Sequence, residues 1–150
     1  MMACVKLSLT LGAIAAAAFM LVSPSAFAAD APSSDIVKTA QISVELRNMR
    51  VEKAGEVYRF THDRAFVETA GVGATLTQGQ VCFLSGLCSG KPIEYRLEAK
   101  GEYVIRDAVL EPLGDEEQFA FTYQGEDDNG RAVNLFFRIT VKGDSYEIVQ

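Results

Sequence analysis

From residue 40 onward the chain alternates apolar and polar positions with a period of two. Ile42, Val44 and Leu46 alternate with Ser43, Glu45 and Arg47, after which the phase slips and Met49 and Val51 continue the series. One slipped residue inside a period of two predicts a strand with a bulge near Asn48. The alternation is weak at Tyr58 and Phe60 and clear at Ile93, Tyr95 and Leu97 against Glu94, Arg96 and Glu98. It is cleanest near the end, where Phe119, Phe121 and Tyr123 precede Asp127-Asp128-Asn129-Gly130. There follow Val133, Leu135, Phe137, Ile139 and Val141. Asn-Gly between two alternating runs is a hairpin signal. Lys142-Gly143-Asp144 then turns the chain into a last strand through Tyr146 and Ile148.

No window of ten or more residues shows a helical period, and turn residues recur throughout. The pattern predicts an all-β, antiparallel two-sheet β-sandwich of seven or eight strands, with a small β-barrel as the alternative. The aromatic strand, acidic Asn-Gly turn and long alternating strand of residues 119–141 resemble the end of many immunoglobulin-like modules. That likeness is one of general character, not of family.

The first 28 residues have a different pattern. Lys6 precedes the apolar run LSLTLGAIAAAAFMLV, Ser23-Pro24 interrupts it, and Ala26-Phe27-Ala28 offers small residues where a signal peptidase needs them. Residues 1–28 read as a secretory signal peptide rather than a membrane anchor, and residues 29–39 as a flexible leader. Residues 40–150 make a single β domain. The expected destination is the periplasm, or secretion beyond it, with no membrane span left after cleavage near Ala28.

Net charge is −6 for the 150-residue chain, and Lys and Arg are scattered singly. An acidic balance without basic clusters argues against nucleic acid and against anionic membrane surfaces as partners. Cys4 leaves with the signal, so Cys82 and Cys88 have only each other within the chain. In an exported protein they are expected to form a disulfide.

The stretch Val81-Cys82-Phe83-Leu84-Ser85-Gly86-Leu87-Cys88 encloses large apolar residues between those cysteines. With Cys82 opposite Cys88 on a hairpin, Phe83 faces Leu87 and Leu84-Ser85-Gly86 form a three-residue loop with Gly86 left-handed. Closing so small a ring stabilises the fold by only about 2 to 2.5 kcal/mol, so the bond mainly fixes local shape. Ser89-Gly90-Lys91-Pro92 reads as breaking the ladder at once. Either Phe83 and Leu87 then cap one end of the core, or Leu84, with Phe83, forms an exposed apolar tip for a partner. Phe83, Leu84 and Leu87 are the candidate partner-binding residues.

Little chemistry is signalled. His62, the only histidine, reads as a solvated strand end, with a pH-sensitive contact as a lesser reading. Its neighbour Asp63 points to the opposite face, so the two form no dyad. No catalytic residue, cofactor or metal is expected. Ser85 is turn chemistry, and Gly71-Val72-Gly73-Ala74 reads as a turn without the amide cradle of a phosphate loop. The acids Glu111, Asp115, Glu116 and Glu117 form one group and Glu126, Asp127 and Asp128 another. A strand through residues 118–125 separates the two groups by roughly 25 Å. The expected function is therefore non-enzymatic. It is binding of a protein partner or cell-envelope component through the stapled loop or an acidic end. The alternatives are a structural subunit of a surface assembly, pairing through the leader and the N-terminal strand at residues 40–46, and a small hydrolase. Oligomeric state is open.

Overall fold

The computed structural model describes residues 37–150, apart from the side chains of Ala54 and Val57. The segment read as a signal peptide and most of the leader lie outside the described residues. Eight strands follow in chain order: β1 (Ile42–Ala54), β2 (Val57–Glu68), β3 (Ala74–Phe83), β4 (Cys88–Leu97), β5 (Glu102–Leu110), β6 (Glu116–Asp127), β7 (Ala132–Lys142) and β8 (Ser145–Val149). They form two antiparallel sheets, β1-β2-β5 and β4-β3-β6-β7-β8, which pack face to face as a sandwich. Among the described residues no ladder joins the two sheets into a closed barrel. Placing β2 with β5 and β3 with β6 matches the general immunoglobulin arrangement, which sets strands B and E in one sheet and C and F in the other.

The core is built where alternation is strict. Phe119, Phe121 and Tyr123 of β6 and Val133, Leu135, Phe137, Ile139 and Val141 of β7 point inward against Val44, Phe60, Phe66 and Leu110 of the smaller sheet. Burying each large apolar side chain contributes about 1.5 to 3 kcal/mol, and the rings interlock. Phe66 meets Tyr123 edge-on with centroids 4.9 Å apart, and Phe121 stacks on Phe137 at 4.9 Å.

Irregularities sit at three positions. The expected bulge in β1 falls between Arg47 and Arg50, with Asn48 at φ 53°. A second bulge in β5 includes Asp107 at φ 51° and lies opposite the same stretch of β2. Asp63 joins them: its carboxylate accepts from Asn48 Nδ2 at 2.8 Å and from the Asp107 amide at 3.0 Å. A third register shift, in β3 between Leu76 and Gln78, bends that strand against both neighbours.

One expectation about local structure fails. β4 runs straight through Ser89-Gly90-Lys91-Pro92, pairing Gly90 with Gln80, Lys91 with Gly79 and Pro92 with Gln78. β4 is the edge of its sheet, where a residue lacking an N–H leaves no central ladder broken.

The two open flanks of the sandwich differ. On the β1/β8 flank the Gln150 side-chain amide acts as a strand fragment: its Oε1 accepts from the Val44 amide at 2.9 Å, and its Nε2 donates to the Val44 carbonyl at 2.6 Å. On the β4/β5 flank the sheets meet at one end through Tyr95 stacked on Tyr103, centroids 4.4 Å apart. Towards the stapled loop they stand apart.

Candidate functional site

The stapled loop has the expected geometry. Cys82 and Cys88 are bonded as directly opposed residues with Cα atoms 4.0 Å apart. The Phe83 amide donates to the Leu87 carbonyl at 2.8 Å, and the Gly86 amide to the Phe83 carbonyl at 2.9 Å, with Gly86 at φ 87°. The three apolar residues divide between the two readings of this loop. Phe83 is half-buried and packs on Phe119, centroids 5.3 Å apart, whereas Leu84 and Leu87 are 67% and 66% exposed. Buried Glu117 holds the loop from below, its Oε1 accepting the Leu84 amide at 2.9 Å.

The acidic groups do occupy opposite ends of β6, but several of their charges are already engaged within the fold. Asp127 is buried and accepts the amides of Asn129 and Arg131, both at 2.9 Å, and that of Ala40 at 3.2 Å. The last contact, with Asn129 Nδ2 and Arg131 Nη1 donating to the carbonyls of Lys38 and Val37, ties residues 37–40 to the β6–β7 turn. Asp128 pairs with Arg96 at 2.6 Å, Glu111 pairs with Arg59, and Glu116 pairs with Lys142 at 3.2 Å.

Gly71-Val72-Gly73-Ala74 is a turn leading into β3, as expected, but amides do converge there. The N–H groups of Ala70, Gly71 and Val72 all aim at the carboxylate of Glu68, at 2.8, 2.8 and 3.2 Å. The chain fills this cradle with its own acid.

His62 departs most from expectation. It is 1% exposed, in the middle of β2, and not at a solvated strand end. The inward face of β2 reads Phe60, His62, Arg64, Phe66, Glu68, so three polar side chains stand among core positions. Arg64 is 5% exposed. Its Nη1 donates to the Tyr123 hydroxyl at 3.0 Å, its Nη2 lies 3.3 Å from His62 Nε2, and its guanidinium carbon sits 4.0 Å above the Phe121 ring. Arginine only donates, so His62 Nε2 accepts and the imidazole proton sits on Nδ1. Among the described residues, neither His62 Nδ1 nor Arg64 Nε has a partner. Burial, and then the Arg64 charge, hold the His62 pKa down to about 4 against a smaller opposing pull from Asp63.

That shift has a testable sign. A histidine neutral in the fold and titrating at 6.5 when unfolded adds stability that is complete above pH 6.5 and is lost as pH falls towards 4. Unfolding free energy is expected to drop by about 2 kcal/mol between pH 7 and pH 5 from this group alone. Urea denaturation of wild type and His62→Gln at both pH values checks it; a drop of equal size in the variant would show that another group is responsible.

Arg64 and Tyr123 form the floor of a cleft of about 1040 Å³ between the sheets. Gly79, Val81 and Ile93 line one wall, Ile105, Ala108 and Leu110 the other, and Arg64 and Tyr123 lie beneath. Phe83 and Leu113, the latter 69% exposed, reach it from the stapled end. At Gly79 an added Cβ would stand 3.1 Å from the Tyr123 ring, so the missing side chain leaves that ring its place beside the cleft. Sequence reasoning missed this cleft because its lining is gathered from five strands, β2 to β6, divided between the two sheets. The one available signal was the polar pair His62 and Arg64 in phase with Phe60 and Phe66.

Burying an unpaired guanidinium costs several kcal/mol, of which face-on aromatic contact returns up to about 2. Among the described residues, Arg64 forms no salt bridge, while Arg47, Arg50, Arg59, Arg96 and Arg106 each lie near an acid. No protein-family model matches the chain, and no curated protein sequence matches it.

Proposed function

We propose that this chain is a non-enzymatic binding module of an oxidising compartment outside the cytoplasm, and that it holds a small apolar molecule, such as a cell-envelope component, in the β4/β5 cleft. The observation that carries the reading is the contrast between the flanks. Gln150 spans the β1/β8 side, while the β4/β5 side stands open over apolar walls. A volume of about 1040 Å³ lies near the upper end of the range typical of small-molecule sites. The Cys82–Cys88 bond fixes the loop carrying Phe83 at one end of the cleft, which favours a site ordered before its ligand arrives. The disulfide also fits an oxidising compartment. Arg64 only donates, and His62 Nε2 is engaged by it, so the floor is suited to holding a ligand rather than to moving protons.

The test uses N-phenylnaphthylamine, a neutral dye that fluoresces in apolar surroundings. Wild-type protein is expected to bind it saturably, and Ala108→Trp, which fills the cleft from the β5 wall, to lose at least about 90% of the signal while keeping its circular dichroism. Unsaturable binding, or a signal indifferent to Ala108→Trp, would defeat the reading.

Exposed Leu84 and Leu87 on a pre-ordered loop favour a second reading, in which a protein partner docks on the stapled end. Leu84→Ser with Leu87→Ser tests it without disturbing Phe83. The assembly-subunit alternative has less support, because the outward N–H and C=O of Val44 on β1 are occupied by Gln150.

A further inference from the structure

The apolar walls of the cleft do not account for its floor. Arg64 lines the cleft and is nearly buried, yet among the described residues its terminal nitrogens meet only a phenol and a neutral imidazole, and its Nε–H meets nothing. A guanidinium does not escape this by losing its proton, so the charge persists in every state of the folded chain. Phe121 and Phe137 lie under it, at 4.0 and 5.6 Å from ring centroid to guanidinium carbon, and supply a compatible surface without any counter-charge. Glu111, the acid lining the cleft, is drawn to Arg59.

We infer that the ligand of the cleft is an amphiphile ending in a single carboxylate, of the fatty-acid type, with the carboxylate seated against Arg64 and the hydrocarbon lying between β4 and β5. This rests on the reading of the cleft as a binding site. The chemistry is complementary at both ends. A carboxylate matches the fork of guanidinium donors and supplies the missing charge in a poorly solvated place, where a charge-assisted pair is strong. Ile105 is paired with Arg64, and the β5 wall continues to Leu110, about 15 Å of strand along which an acyl chain can lie. The chain's overall negative charge gives an anion no long-range attraction, so preference for the acid has to come from Arg64 itself.

The experiment compares cis-parinaric acid with its methyl ester, two probes of the same hydrocarbon that differ in charge, by fluorescence titration of the oxidised protein near neutral pH. The acid is expected to bind at least about tenfold more tightly than the ester to wild type. Arg64→Met is expected to bring the acid down to the affinity of the ester while leaving the ester unchanged, and Arg64→Lys to keep part of the preference. Equal affinity of acid and ester for wild type would overturn the carboxylate seat and leave the cleft reading standing. Failure of both probes, together with failure of the neutral dye, would remove the cleft as well. Should Arg64→Met not fold, Tyr123→Phe decides. Removing the hydroxyl that positions Nη1 is expected to change acid affinity and leave ester affinity alone; an equal change in both counts against the seat.

Discussion

Replacing Glu68 with alanine is expected to destabilise the domain by about 4 kcal/mol. This carboxylate is 1% exposed and is the meeting point of five backbone amides. Oε1 accepts from Gln41 and Ala70, and Oε2 from Gly71, Val72 and Lys100. They come from the residue before β1, the β2–β3 turn and the β4–β5 turn, so one side chain ties three chain passages together. Truncation leaves those N–H groups facing one another in a space with little water, and each buried donor without an acceptor costs on the order of 1 to 3 kcal/mol. Glutamine is no substitute, because its NH2 would confront at least two of the same donors. Burial alone would push the carboxyl pKa up. The amides, with that of Lys100 contributing most, outweigh this and hold it at about 2, against 4.5 for an ordinary glutamate.

A depressed carboxyl pKa adds stability that is complete above pH 4.5 and disappears as pH falls to 2. For Glu68 the amount is about 3 kcal/mol. Its window lies below most of that of His62, so acid unfolding of wild type is expected to show two successive losses. Glu68→Ala would lose the lower one only. Urea denaturation from pH 7 to pH 2 measures both, and an unchanged lower limb in Glu68→Ala would show that the carboxylate is not the group titrating there.

Gly125→Ala is expected to cost about 3 kcal/mol or more, through overpacking against a backbone that cannot yield. A Cβ at this position would lie 2.0 Å from the Thr75 carbonyl oxygen and 2.7 Å from the Leu76 Cα. Both atoms belong to β3 beside its register shift, where the bent strand closes on β6. Flexible side chains can move aside, but here either the bulge or the β3–β6 ladder would have to shift. Gly114→Ala is the control, since an added Cβ there meets nothing within 4 Å. Thermal melts of the two variants should differ by at least about 10 °C, and similar melting points would show that β3 has slack at the bulge.

The bulge near Asn48, the hairpins after Asp127 and Lys142 and the geometry of the stapled loop were all legible, because each depends on neighbours in sequence. β2 was barely visible. Its inward positions His62, Arg64 and Glu68 are the residue types that a period-of-two reading assigns to solvent, so the strand looked irregular where it is most buried. Pro92 was misread for a related reason. A proline signals the end of a ladder only if its strand has neighbours on both sides, and edge position is a property of the sheet.

Alternation and turn chemistry, acting over a few residues, determined that this chain forms antiparallel strands in two sheets, with a disulfide across one loop. Only the tertiary structure decided which flank would close. It also decided which acids would be spent on the chain's own amides, and where a lone arginine would come to rest between sheets. Those outcomes depend on groups far apart in sequence, such as Val44 with Gln150, Glu68 with Lys100, and Arg64 with Tyr123. A buried charge or an amide without a partner is satisfied by whatever lies closest in space, and chain order alone does not specify what that is.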